Sequence, residues 1–208
     1  HAASGMARVT GKVGVCAVTS GPGATNLITG IATAFADSIP MICITGQVKS
    51  ELIGSDVFQE ADITGATESF VKYSYLVNNV EDIPRIMKEA FYIANTGRKG
   101  PVLIDVPIDI QQATIKKFKY PEEVSLRTYK PTIKGHAVQM KKVMAELEKA
   151  KRPVICAGGG VLLSDAVKEM REFAHKYRVP VVSTMMGIGA MPTQDELYFG
   201  MVGNNGAP

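Results

Sequence analysis

Residues 12–45 read KVGVCAVTSGPGATNLITGIATAFADSIPMICIT, and this stretch decides the fold. Residues 12–18 (KVGVCAV) are apolar with no polar alternation, as expected of a strand buried on both faces. A glycine- and proline-dense turn follows. Residues 24–36 (ATNLITGIATAFA) then read as a helix of small and apolar side chains, and 41–45 (MICIT) as a second buried strand. Strand, glycine turn, helix and strand in that order form the repeating unit of a parallel sheet covered by helices.

The rhythm continues downstream. Residues 70–77 read as a weaker strand, and 80–95 as the best helix, with Ile83, Ile86, Met87, Ala90, Phe91 and Ala94 on one face. Asn79 suits a cap, Pro84 fits only near the first turn, and Gly97 ends the helix. Residues 101–106 (PVLIDV) make a further apolar strand. The expected fold class is therefore α/β, a doubly wound and mostly parallel sheet over residues 1–112. Residues 113–131 break the pattern, with Lys116, Lys117, Lys119 and Lys130 in the stretch and Pro121 and Pro131 interrupting it, and read as a linker. A second α/β unit starts at 132 and runs to 208, with helix 134–150, strand 153–157, helix 161–177 and strand 179–183. Two strands cannot cover a sheet's faces, so this unit reads as the first part of a larger domain. The opening HAASGMAR has the composition of a helix end, so the chain is expected to be a fragment of a longer one.

Composition narrows the class. With 23 Lys+Arg against 20 Asp+Glu the net charge is +3, and no basic run marks a nucleic-acid footprint. The 46% hydrophobic and 21% charged fractions over 208 residues are those of a globular protein, not a disordered one. No apolar stretch approaches a membrane span and no leader pattern opens the chain, so a cytoplasmic location is expected. Cys16, Cys43 and Cys156 each sit in an apolar run and read as buried structural thiols.

Three glycine-rich segments follow strands directly. Ser20-Gly-Pro-Gly-Ala-Thr-Asn26 lies where doubly wound folds bind ligands, beyond a strand's carboxyl end and before a helix. It lacks Gly-Lys-Ser/Thr and does not match GxGxxG, so ligand contact and a tight turn both stay open. Gly158-Gly159-Gly160 costs chain entropy, which favours close ligand approach over a bare turn. Gly187-Ile-Gly189 is as readily a turn. Gln59, Glu60 and Asp62 form a polar loop after Phe58, either solvated or lining a site. Arg98 reads first as a surface residue. His1, His136 and His175 have no metal-like spacing, so no metal ligand is expected in this chain.

Residues 11–48, GKVGVCAVTSGPGATNLITGIATAFADSIPMICITGQV, are similar to the pyrimidine-binding domain of thiamine-diphosphate enzymes. LIGSDVFQEADI (52–63), the run from Val80 to Pro107 and RPVICAGGGV (152–161) resemble the acetolactate synthase (acetohydroxyacid synthase) large subunits in order and spacing. The resemblance implies a transferase that joins two 2-oxo acids, pyruvate with pyruvate or 2-oxobutanoate, with loss of carbon dioxide, in branched-chain amino-acid biosynthesis. It implies thiamine diphosphate, Mg2+ bound outside this stretch, and FAD in a structural role. Thr19, Pro22, Gly23 and Asn26 would surround the pyrimidine. Phe58 and Gln59 would line the substrate approach, with Gln59 the one catalytic candidate. Arg98, Gly158, Gly159, Gly160, Thr184 and Met185 would touch FAD. A second copy of the chain is the implied partner, with a regulatory small subunit possible.

The departures from the family pattern matter too. The family's activating glutamate stands a few residues before HAASGMAR, and its magnesium-diphosphate domain is also outside the chain, so the chain alone is expected to be inactive. Lys49 replaces a usual proline, and Ile108 a usual lysine. Asn204 and Asn205 stand where the family has Met-His, which puts one flavin contact in doubt. Rival readings are another thiamine-diphosphate carboligase, decarboxylase or pyruvate oxidase, or a non-catalytic α/β module that reuses the fold.

Overall fold

The computed structural model describes residues 1–204 and Gly206, and the chain divides into two compact units, His1–Thr132 and Ile133–Pro208. The first unit begins with helix α1 (Ala2–Thr10) and strand β1 (Gly14–Val18). Helices α2 (Pro22–Thr25) and α3 (Ile28–Ala36) then lead to β2 (Met41–Gln47). After a long loop come α4 (Ile63–Thr67), β3 (Tyr73–Leu76), α5 (Ile83–Asn95), β4 (Pro101–Pro107) and the short α6 (Ile108–Gln112). All four strands are parallel, in the order β1-β2-β4-β3.

The helices divide over the two faces as the strand pleat requires. Met41, Cys43 and Leu103 point to one face and pack with Ala7 of α1, Ile31 and Ala34 of α3 and Ile63 of α4. Their neighbours Ile42, Val102 and Ile104 point to the other, against Ile86, Ala90, Ile93 and Ala94 of α5. Ile86 and Ile93 are nearly fully buried, each a stabilisation of about 1.5–3 kcal/mol. The doubly wound parallel sheet expected from the sequence is the fold found.

Local boundaries differ for identifiable reasons. The helix expected over 24–36 starts earlier, because Pro22 presets the first helical turn. It tightens at Leu27, whose N–H reaches Ala24 O at 3.0 Å. In the 80–95 helix, Val80–Asp82 form a separate 3-10 turn capped by Asn79, whose side chain accepts from the Glu81 N–H. The stretch 113–136 carries no helix or strand, yet Leu126 and Tyr129 pack against the α5 core of the first unit. Lys72 Nζ ties this stretch down by donating to Thr96 O at 2.7 Å, Tyr129 Oη at 2.8 Å and Ile93 O.

The second unit contains α7 (Ala137–Lys149), β5 (Ile155–Ala157), α8 (Gly159–Leu163), α9 (Val167–Tyr177), β6 (Val181–Ser183) and β7 (Tyr198–Met201). Its sheet is parallel with three strands, β5-β6-β7, one more than the sequence suggested. β7 was hidden because it is short, follows a proline-containing turn and joins β6 through a register shift. The helix expected over 161–177 is two helices, broken where Asp165 takes φ 57°. Cysteine burial also needs correction: Cys43 is buried and Cys16 half-buried, but Cys156 is exposed on β5.

Candidate functional site

In the first unit the carboxyl ends of β1, β2 and β4 open into a cleft of about 850 Å³ lined by Thr19, Ser20, Gly46, Gln47, Ile83 and Val106, among others. A cleft of this size at strand ends is the ordinary place for a ligand in a parallel sheet. Gly46 makes room for its polar edge: a Cβ there would come within 3.3 Å of Ser20 N and 3.5 Å of Gln111 Nε2.

Thr19 directly follows β1, Pro22 opens α2, Gly23 is within it and Asn26 closes it, so these four candidates lie close together along the chain. Gly21 caps the start of α2 at φ 58°, ψ −121°, a conformation that only glycine adopts easily. A Cβ on Gly21 would lie 2.8 Å from Gln59 O and 2.9 Å from both Gln59 Cα and Cβ. The glycine turn and the Phe58–Gln59 loop are therefore packed backbone to backbone. Gln59 itself is held at φ 60°, and Asp56 at φ 56°, both unusual for residues with a Cβ. Phe58 is 88% exposed at the loop's tip.

Glu60 organises that loop. Its carboxylate accepts from the N–H groups of Gly54 and, at 3.1 Å, Val57, and these backbone donors hold it below the usual carboxylate range. Deeper, Asp105 is buried among polar partners. It accepts from Thr45 Oγ1 at 2.6 Å and from Gln47 Nε2 at 3.0 Å. Burial pushes its carboxyl up, and the two hydrogen bonds pull the other way.

The second unit gathers a second set. Gly158 follows β5, and a Cβ on it would stand 3.8 Å from Thr184 Oγ1. Thr184 N donates to Ala157 O at 2.9 Å, so the glycine run, Thr184 and Met185 meet at the carboxyl ends of β5 and β6. Met185 is exposed, and a Cβ on Gly160 would meet no atom within 4 Å. Gly187 has a different purpose: a Cβ there would fall 2.0 Å from Ala157 O, so its glycine is required by the protein's own packing.

Arg98 lies in the first unit. Its Nε donates to Ser38 Oγ at 2.8 Å and its Nη2 to Ala36 O at 3.3 Å, closing the end of α3. Asn204 lies in a turn, whereas Asn205 is outside the described residues. Among the described residues no group of His, Cys, Asp and Glu could hold a metal ion, and no helix is long and apolar enough to cross a membrane.

Residues 1–66 match the thiamine pyrophosphate enzyme N-terminal TPP binding domain, and residues 140–208 match the central domain of the same enzymes. The chain belongs to the thiamine pyrophosphate enzymes. Across 99% of its length it is 50% identical to the acetolactate synthase large subunit of Haemophilus influenzae and 53% identical to that of Buchnera aphidicola subsp. Schizaphis graminum. It is also 49% identical to the probable acetolactate synthase large subunit of Methanocaldococcus jannaschii. The chain spans 36%, 36% and 35% of these relatives' lengths.

In this thiamine pyrophosphate enzyme chain, Thr19 and Ser20 of the glycine turn line the strand-end cleft together with Gly46 and aliphatic side chains such as Ile44, Ile83 and Val106, whereas Pro22, Gly23 and Asn26 lie outside its lining. Sequence reasoning singled out the glycine turn and Gln59 but missed Gln47, Asp105 and Gly46. In the sequence Gly46-Gln47 follow directly on the run 41–45 read as a strand, as the other glycine segments follow theirs, and that was the one available signal; in the structure both residues belong to β2.

Proposed function

We propose that the intact protein is an acetolactate synthase large subunit, joining pyruvate to a second pyruvate or to 2-oxobutanoate with loss of carbon dioxide. The observation that carries this reading is the near-50% identity to proteins of that name across essentially the whole chain, loops included. We assign residues 1–112 to the pyrimidine-binding domain, 113–131 to the linker and 132–208 to the start of the FAD-binding central domain.

Thiamine diphosphate supplies, when bound, the electron sink that lets a 2-oxo acid lose carbon dioxide. The chain's own residues bind and orient. Thr19, Pro22, Gly23 and Asn26 flank the pyrimidine side, where α2 can approach because Gly21 turns the backbone sharply. Phe58 and Gln59 wall the substrate approach, and the contact of Gln59 with Gly21 keeps that wall in register with the cofactor turn. Gly158, Gly159, Gly160, Thr184 and Met185 hold FAD at the strand ends of the second unit, with Gly160 the open face toward it. Mg2+ is bound by residues outside this chain. A second copy of the chain completes the active site, the reaction runs in the cytoplasm, and a small subunit regulates it.

The test is turnover by the intact protein with pyruvate, thiamine diphosphate, Mg2+ and FAD. Acetolactate formation supports the reading. Acetaldehyde or acetate as the main product moves the protein to a decarboxylase or oxidase. Failure to bind thiamine diphosphate at all leaves the non-catalytic module.

A further inference from the structure

We infer that Asp105 and Gln47 are positioning residues that pin the Phe58–Gln59 loop to the sheet of the first unit. The inference rests on the reading of that loop as the wall of the substrate approach.

On the α3 side of the sheet, β2 contributes Met41, Cys43, Thr45 and Gln47 in alternation, and β4 contributes Leu103 and Asp105. The lower layer, Met41, Cys43 and Leu103, is apolar core. One pleat further toward the strand ends, Thr45 and Asp105 are direct register partners, and the layer turns polar while remaining buried. Relative exposures of 0% for Thr45, 6% for Gln47 and 1% for Asp105 leave no water-facing alternative for these groups.

Every bond in this layer has a fixed sense. Both Asp105 oxygens accept, one from Thr45 Oγ1 and the other from Gln47 Nε2. The second hydrogen on Gln47 Nε2 goes to Ala61 O at 2.8 Å, and Gln47 Oε1 accepts from Val48 N at 2.9 Å. Reversing the amide would set Gln47 Oε1 against both the Asp105 oxygen and the Ala61 carbonyl. Asp105 therefore fixes which way Gln47 faces, and Gln47 thereby holds Ala61.

Ala61 follows Gln59 and Glu60 directly. Glu60 folds the loop on itself through the Gly54 and Val57 amides, and Gly21 abuts Gln59 from the cofactor turn. The bond to Ala61 O is what ties this loop to the buried strands. The left-handed backbone at Gln59 is unfavourable for a residue with a Cβ and persists only when its surroundings impose it. Releasing Ala61 lets Gln59 relax and moves the wall.

The experiment uses the intact protein with Gln47→Met, Asp105→Leu and Asp105→Asn. Amide exchange is followed in peptides covering 52–63 and, as a core reference, 101–107. Asn can turn its oxygen to Gln47 and its amide to Thr45, whose hydroxyl rotates to accept, so it preserves the orientation of Gln47. Gln47→Met should speed exchange in the loop by at least about tenfold while the core reference stays protected. KM for the 2-oxo acid should rise by a larger factor than kcat falls. Asp105→Leu should do the same where it folds, and Asp105→Asn should restore slow exchange and the low KM. Unchanged loop exchange in Gln47→Met, loss of protection shared equally by loop and core, or Asp105→Asn behaving like Asp105→Leu would each overturn the inference. Absence of thiamine-diphosphate-dependent turnover in the unaltered protein defeats the functional reading alone, because the exchange pattern decides the positioning role without it.

Discussion

Replacing Gly21 by alanine tests the joint on which the candidate site depends. Gly21 sits at φ 58°, ψ −121° between β1 and α2, a region that residues with a Cβ enter at a cost of about 1–3 kcal/mol. The added methyl would also land 2.8–2.9 Å from three atoms of Gln59, two of them backbone, so no side-chain rotation relieves the overlap. Overpacking of that kind costs a further 1–3 kcal/mol or so. If the loop stays in place, Gly21→Ala should destabilise the first unit by roughly 2–6 kcal/mol. If the loop yields, the steric part falls away and about 1–3 kcal/mol from the backbone remains.

Urea-dependent amide exchange of the buried β2 and β4 amides reads the stability of this unit directly. Gly5→Ala is the control, because Gly5 lies inside α1 with no atom within 4 Å of its would-be Cβ. That substitution should stabilise by about 0.5–1 kcal/mol through helix propensity alone. A Gly21→Ala protein within about 0.5 kcal/mol of the parent would refute the contact between the two loops, and the reasoning built on it.

Three further outcomes are expected. A methyl on Gly23 would meet Thr19 Cγ2 at 2.6 Å, the end of an exposed side chain that can swing away. Gly23→Ala should thus cost under about 1 kcal/mol of stability but weaken thiamine-diphosphate binding in a titration, since Thr19 is itself displaced. Gly160→Ala meets open space inside α8, so it should leave stability equal or raise it by up to about 1 kcal/mol. A loss of FAD affinity in that variant then reports ligand approach, and unchanged affinity removes Gly160 from the site. Finally, burial raises the native carboxyl of Asp105, so the native state holds its proton to higher pH than the unfolded chain does. The penalty for ionising it begins as pH rises past the ordinary value of about 3.9 and is complete above the raised native value. Asp105→Asn should remove that part of the pH dependence and stabilise the first unit at neutral pH. Parallel pH–stability curves for the two proteins would contradict this.

How much of this was legible in the sequence depended on whether a residue's constraint is local. Runs such as MICIT and PVLIDV announce strands because a buried parallel sheet needs apolar groups on both faces, and β2 and β4 carry them. The turn SGPGATN showed itself in the same way, since glycine and proline restrict the backbone wherever they stand. β7 was not legible, because its pairing with β6 is irregular and its four residues carry little pattern. The exposure of Cys156 was equally hidden. In β5 only Ala157 is fully buried, and a run that is apolar in sequence need not be covered on both faces.

The support of the site belongs to a third category. Thr45, Gln47 and Asp105 look unremarkable in MICITGQ and PVLIDVP, where each is a polar residue near the end of an apolar run. Their meaning appears only once β2 and β4 are set in register, with Thr45 opposite Asp105 and Gln47 one pleat beyond. A polar residue at that height on one strand would be a buried liability, whereas facing polar residues on adjacent strands satisfy one another. The change from apolar to polar along the same face of both strands therefore marks the level at which the core gives way to the site. Gln47 is the residue that converts that level into geometry, because it alone among the three also bonds to a loop that carries a candidate catalytic side chain.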